Sequence, residues 1–447
     1  MTLPRFLVLV AFTLLAALFP PWMLAGVEPL PTPLPTPSSG SYGVYGSGAT
    51  DGNEASGRYT ATPGNASPMP EPTEDPFANR DFASLYVVNA DGSIVVRLGE
   101  PYFGPPIWSP DGAKLVAGSG VVIINADGFG TSRSGCSPQS WSPDGTRLAG
   151  LEGIQWDQSI GWLCVVRADG TGMTRLAQIG PDGAVGGWSP DGTKILFSSW
   201  PDVYVVNADG SDLVNLTRDQ DGWAGSPVWS PGGTRVAFVG HEQLAEGNED
   251  VWTVHVDGSR ATRLTNLPGV ASRPVWSPDG AKLAFTRTLS PGGVALGVGS
   301  VHVMNANGSG LQTLVTGCDP GARTDDCARE PAARHRVDGV PTLPAWSPDG
   351  TRLLFGAGGR MFVVSADGAG RIDLGIGNDP VWSPDGVKIA FISSDATSAM
   401  FNTDVHLVNA DGTGKVRLIT TPNPNYYLTW SPDGSKLAFA SHYPSSE

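Results

Sequence analysis

The sequence is short of the residues that usually announce chemistry. Its 447 residues hold four cysteines and six histidines. No Cys-x-x-Cys occurs, which leaves a zinc or thioredoxin-like centre without support. No Gly-x-Ser-x-Gly elbow occurs either, so a serine hydrolase built on that turn has no nucleophile in view. Charged residues make up 16% of the chain, and the acidic ones outnumber the basic ones to give a net charge of −15. That balance argues against nucleic acid as a partner, because phosphate contacts need clustered Lys and Arg. No apolar stretch persists for the roughly 18 residues of a membrane span. The run from Phe6 to Phe19 is cut off by Pro20-Pro21.

That run follows a single base, Arg5, and leads to the small residues Ala25-Gly26. Basic start, apolar centre and small-residue end are the layout of a secretory signal, with cleavage expected after Ala25; an uncleaved anchor is the alternative. Residues 26–82 are Pro, Ser, Thr and Gly with few large aliphatics, a composition that buries too little to order itself. This stretch is expected to be a disordered tether with a polyproline-like part at Pro29–Pro37. The chain is therefore read as exported, to the periplasm, cell surface or exterior. Cysteines in such a compartment can pair. Cys318 and Cys327 bracket a polar insertion and are the favoured pair, whereas Cys136 and Cys164 are as well read as buried thiols as a bridge.

What the chain has in quantity is Trp-Ser-Pro-Asp-Gly. The motif begins at Trp108, Trp141, Trp188, Trp276, Trp346, Trp382 and Trp430, with an eighth form, Trp-Ser-Pro-Gly-Gly, at Trp229. Self-similarity at such spacing marks a repeat architecture. A β-branched strand follows each copy, then a variable loop, then a strand ending in Asn-Ala-Asp-Gly or a variant such as Arg167-Ala168-Asp169-Gly170. A short Leu-Thr strand completes the unit. The Asp-Gly pair reads as a primed hairpin turn. Strand, turn, strand, loop, strand, turn, strand is one antiparallel blade, and eight make an eight-bladed β-propeller. The first Asn-Ala-Asp-Gly, at Asn89, precedes the first Trp-Ser-Pro-Asp-Gly, so the chain opens with third and fourth strands and closes with first and second. Together these form the eighth blade. The tryptophans are read as blade-to-blade packing, since each buries on the order of 150–250 Å².

These residues resemble the TolB-like, WD-repeat-like propellers, through Lys282-Leu283-Ala284-Phe285, Tyr204-Val205-Val206-Asn207-Ala208-Asp209-Gly210 and Asn215-Leu216-Thr217. The resemblance covers about Leu85 to Ser441 and implies the fold, expected over 83–447. TolB proteins have fewer blades and an amino-terminal α/β domain not expected here, so their partners, such as a peptidoglycan-associated lipoprotein, are not carried over. Related propellers also precede the catalytic domain of prolyl-oligopeptidase-like enzymes.

Both kinds of hairpin turn fall on one face, and the length-varying loops fall on the other. Length variation confined to one face of a repeat array marks its binding face. The candidates there are Trp156, Trp162, Trp200, Trp223, His241, Arg323, His335, Tyr426 and Tyr427. Glu242, Glu246, Glu249 and Asp250 form a carboxylate group without the alternating spacing of a calcium loop, and are read as solvated. His302 and His406 occupy a strand position held elsewhere by aromatics and are read as packing. No catalytic residue, metal or cofactor is expected. The leading reading is a monomeric, non-catalytic propeller, tethered to the envelope, that binds a protein, peptide or glycan of that compartment. The alternative is a hydrolase or lyase with a site at the mouth of the central channel.

Overall fold

Blade 3 shows how one repeat folds. Ala184–Trp188, Lys194–Ser199, Asp202–Asn207 and Val214–Asn215 pair in that order as an antiparallel sheet. The second strand is buried from Ile195 to Ser198 without alternation, because each blade is covered on both faces by its neighbours. The computed structural model describes residues 83–442 apart from 94, 103–104, 118–121, 154–159, 181, 221, 243–247, 289–297, 319–334, 339–340, 394–402 and 421–423. The chain divides into Met1–Thr73 and Glu74–Glu447, and the described residues belong to the second unit. The expected leader and the whole tether, with Trp156, Arg323 and Cys327, lie outside the described residues, so the Cys318–Cys327 pairing does too.

The described residues form eight sheets, numbered here as blades 1 to 8 by the motif tryptophans in chain order. Blade 8 is made of both ends of the chain: Val95–Tyr102, Ala83–Asn89, Lys436–His442 and Asn425–Trp430 are hydrogen-bonded in that order. Ala83 to Asn89 pair without a slip against His442 to Lys436. The ring is thus closed by backbone hydrogen bonds between the two ends, as the motif order requires. Blade 5 departs from the pattern. Its first strand is split into Val270–Ala271 and Val275–Trp276, and His335–Asp338 adds a parallel edge strand beside Gln312–Cys318. His335 was expected in a loop; its backbone lies in this strand instead, where the long insertion returns to cover an open sheet edge.

The middle of each of blades 3 to 8 carries one cross-strand aromatic pair. Phe197–Tyr204, Phe238–Trp252, Phe285–His302, Phe355–Phe362, Phe391–His406 and Phe439–Tyr86 stack with centroids 5.0–6.3 Å apart. His302 and His406 are packing residues here. The two ring nitrogens of His302 meet Ser300 Oγ and Thr313 Oγ1, and burial pushes its pKa down to about 3. In blade 2 the corresponding residues are Gly150 and Cys164, which are register partners. A Cβ at Gly150 would stand 2.1 Å from Ser137 O. With no side chain in the way, Cys136 is bridged to Cys164, both sulfurs fully buried. The disulfide takes the place of the aromatic pair.

Both turn types have the same construction, and it is not the primed one. In Ser109-Pro110-Asp111-Gly112 the Gly112 N–H donates to Ser109 O, and positive φ falls on the glycine alone, at 69°. Proline fixes φ near −65° at the second position, which a primed turn forbids. The Ser109 hydroxyl donates to Asp111 Oδ1 at 2.6 Å and accepts from the Lys114 N–H at 2.8 Å. The same carboxylate oxygen accepts the Ala113 N–H. In Ala90-Asp91-Gly92, φ is again positive only at glycine, and Asp91 accepts from Ser93. A type I turn closed by a left-handed glycine replaces the expected geometry.

The motif also joins blades. Trp141, Trp188, Trp229, Trp346, Trp382 and Trp430 donate Nε1–H to the carbonyl of the residue just before the preceding blade's tryptophan, at 3.1–3.3 Å. Trp108 and Trp276 have no acceptor. Arg147, Arg235 and Arg352 lay their guanidinium groups over the next blade's Trp188, Trp276 and Trp382. Each motif glycine faces the proline of the preceding copy closely enough that a Cβ would lie 3.2–3.6 Å from Cδ, including Gly112 against Pro432 across the closing blade. Trp188 and Trp276 are similarly buried, so Trp188→Phe and Trp276→Phe remove similar ring volume but only the first removes a hydrogen bond. Trp188→Phe is expected to cost about 1 kcal/mol more, read as the difference in urea unfolding free energy. Equal losses would mean that the indole bond contributes nothing.

Candidate functional site

The first strands of neighbouring blades approach one another, blade 2 with blade 3, blade 3 with blade 4, blade 7 with blade 8. They therefore line the axis. Three residues before the motif tryptophan, their side chains reach solvent although the strand is innermost: Ser226, Arg273, Leu343, Asp379 and Tyr427 are all exposed. In three of these the backbone is left-handed, with φ of 51° at Ser226, 49° at Asp379 and 59° at Tyr427. A non-glycine residue held there costs on the order of 1–2 kcal/mol. The register slips at each of these points, between Gly225 and Val228, Asn378 and Val381, Tyr426 and Thr429. Such bulges re-aim side chains; here they aim them at the channel.

The ring is chemically uneven. Asp379 accepts the Tyr427 N–H of the next blade, yet surrounding protein raises its pKa above the usual carboxylate range. Burial also raises Tyr427, with the Asp379 charge adding to it, and the rings of Tyr426 and Tyr427 stand 6.3 Å apart. Arg273, two blades away, is pushed down by desolvation, with no carboxylate among the described residues opposing the effect.

The loop face above this ring is only partly as expected. Trp200 is bare, 66% exposed, at the tip of the two-residue turn between Ser199 and Asp202. Pro201 O of that turn accepts the N–H of Ala224 in blade 4, which fixes the turn beside Trp223. Trp223 itself is half-buried, stacked 6.2 Å from His241, its register partner, and packed on the core between blades 4 and 5. Trp162 lies under the Arg175 guanidinium, which is held by two bonds to Glu152. The structure thus gathers Trp200, Trp223 and His241 at blades 3 and 4, and Tyr426 and Tyr427 at blade 8. Trp162, Trp223 and His241 are covered by neighbours and are not open platforms.

The carboxylates correct a second expectation. Asp250 is buried and paired with Arg263 and Thr265, a structural tie at the start of the third strand. Asp202 makes the same tie with Thr217 and Asn215. Glu249 is bound through its backbone to Gly269 and Ala271 across the seam of blades 4 and 5, and desolvation pushes its pKa up to about 7. Neither is a freely solvated loop residue. Asp379 and Arg273 were missed altogether. Among the described residues, no group of three or more His, Cys, Asp or Glu is placed to hold a metal ion.

These shifts set a pH profile. Asp144, Asp349 and Asp433 are held at about 2 by the serine hydroxyls beside them. Groups depressed in the folded state contribute stability above their unfolded pKa near 4, and lose it as pH falls toward 2. Glu249 is raised, so its folded form binds the proton more tightly and stability declines as pH rises from about 4.5 to 7. Buried His302, lowered to about 3, acts in the opposite sense, adding stability as pH rises from about 3 to 6.5. The two buried groups therefore offset one another between about pH 4.5 and 6.5, and the melting temperature is expected to fall below about pH 4. Glu249→Gln should leave the His302 effect unopposed, so that the melting temperature rises from about pH 4.5 to 6.5, with the loss toward pH 2 unchanged. A wild-type profile that is level down to pH 2 would contradict the turn assignment.

No family model matches the chain. A stretch of 88 residues, 19% of the chain, is 34% identical to the Tol-Pal system protein TolB of Anaeromyxobacter dehalogenans, and the chain spans 19% of that relative's length. Among solved structures, the putative TolB from Agrobacterium tumefaciens is 17% identical, matched over 81% of this chain and 99% of that one with a TM-score of 0.36. Porphyromonas gingivalis dipeptidyl peptidase 4 is 12% identical, matched over 75% of this chain and 56% of that one with a TM-score of 0.53. These structural likenesses concern the fold alone. The described body closes eight antiparallel blades as a β-propeller, and its repeat is similar to that of TolB.

Proposed function

We propose that the chain is an exported, tethered, non-catalytic propeller that binds a protein or peptide of the cell envelope through its loop face, a glycan being the other ligand such a face suits. The observation that carries this is Trp200. A tryptophan 66% exposed on a two-residue turn, with the turn hydrogen-bonded to the next blade, is a rigid aromatic anchor in water. Such residues dominate interface energies. The opposite face supports the reading by contrast, since its turn carboxylates are engaged by their own serines and backbone. The competing hydrolase or lyase rests on Asp379, a carboxyl raised at the axial mouth.

The test is capture from envelope fractions by the immobilised full chain, followed by mass spectrometry of what is retained. Trp200→Ala is expected to reduce capture at least about tenfold with the melting temperature unchanged. Phe129→Ala removes an equally bare aromatic, 78% exposed, from the hairpin face and should change nothing. Loss with Phe129→Ala but not with Trp200→Ala would place binding on the wrong face. A captured molecule released in cleaved form would favour the enzyme.

A further inference from the structure

The corner formed by Asp379, Tyr427 and Tyr426 has features that the repeat does not require. Asp379 and Tyr427 occupy equivalent positions in adjacent blades, and both are held at left-handed φ. The strain turns a carboxylate and a phenol ring toward the same part of the channel mouth. Asp379 receives one hydrogen bond, from the Tyr427 N–H, and no cationic side chain among the described residues forms an ion pair with it. Many other carboxylates of the blades have hydroxyl or guanidinium partners, as at Asp111, Asp250 and Asp404. Tyr427 remains 37% exposed with Tyr426 beside it. An uncompensated carboxylate beside an exposed phenol ring suits an organic cation, through a charge-assisted hydrogen bond and cation–π attraction. The net charge of −15 draws cations toward the protein as a whole.

We propose that Asp379 and Tyr427, the latter backed by Tyr426, form a receptor at the axial mouth for the ammonium or guanidinium group of a lysine or arginine side chain in a peptide partner. The proposal rests on the loop-face reading above and specifies the chemistry of its ligand. Arg273, on the same ring two blades away, disfavours a second positive charge there. The receptor therefore takes one cation rather than a basic run.

Fluorescence polarisation at low ionic strength, with the full chain, tests it. The probes are fluorescein-labelled Gly-Leu-Arg-Leu-Gly and the same peptide with citrulline, a neutral isostere, in place of arginine. The arginine peptide should bind at least about tenfold more tightly than the citrulline peptide. Asp379→Asn keeps a residue that tolerates left-handed φ and should abolish that preference. Its melting temperature should stay level or rise, because it removes a carboxylate that its surroundings disfavour. Tyr427→Asn, which retains the charge, should lose roughly three- to fivefold of the arginine affinity. Asp127→Asn removes the same charge from the hairpin face and should bind as the wild type does. Equal binding of the two peptides, unchanged binding by Asp379→Asn, an equal loss with Asp127→Asn, or no arginine-peptide binding would each overturn the proposal. If envelope capture still depends on Trp200 in that case, the loop-face reading survives; if that dependence also fails, both fall.

Discussion

One hydrogen bond organises this molecule: the indole N–H of a motif tryptophan, given to the carbonyl that precedes the previous blade's tryptophan. The bond couples identical points of successive repeats, so forming it sets the rotation from one blade to the next. The Gly–Pro contact between successive turns repeats the same step. A four-stranded blade has two apolar faces and cannot bury both by itself. The indole bond and the turn contact fix how those faces meet, and the ring closes when the step has been taken eight times. Closure by backbone pairing of Ala83–Asn89 with Lys436–His442 then removes the free ends that an open array would expose.

The same bond separates structure from function. Because it lies beside the Ser-Pro-Asp-Gly turn, the polar groups of that face are engaged in holding blades and turns. The aspartates accept serine hydroxyls and backbone N–H groups, and the bases pack on tryptophans. What the repeat does not need is left for the other face and the axis. Trp200 stands in water there, and Asp379 and Tyr427 keep a strained backbone that the split strand of blade 5 avoids. Strain tolerated in the innermost strand, against a core that fixes everything around it, is a cost that packing alone does not explain.

The fold was legible because its determinants are local and repeated. Trp-Ser-Pro-Asp-Gly names its own turn, and the order of motifs around Asn89 and Trp108 gives the closure. The turn type was misread because Asp-Gly usually signals a primed hairpin, whereas proline and the side-chain capping by aspartate select type I. The disulfide was undecidable from spacing, since Cys136 and Cys164 become neighbours only when Gly150 lies between them without a side chain. Candidate face residues were chosen for being aromatic, and burial then covered Trp162, Trp223 and His241. Asp379 and Arg273 escaped notice for the opposite reason, as ordinary charges in a strand. A signal was present, however. Three residues before each motif tryptophan the chain reads Pro105, Pro138, Val185, Ser226, Arg273, Leu343, Asp379 and Tyr427, a position without consensus beside one that hardly varies.

The two tryptophans without acceptors give the ring a further asymmetry. Trp108 stands at the seam of blades 8 and 1, and Trp276 at the seam of blades 4 and 5. Four blades separate them in each direction, so the ring is two bonded halves joined at opposite seams. The second seam follows the one motif copy that lacks its aspartate, at Ser230-Pro231-Gly232-Gly233. There Arg235 over Trp276 provides attraction without the indole bond. Glu249 and Arg273, both desolvated with no opposite charge among the described residues offsetting it, belong to the same seam. At this seam, where the repeating bond lapses, two desolvated charges of opposite sign also stand. Packing does not ask for that combination, and it sets the axial mouth apart from the turn face, where every copy of the motif answers to the next.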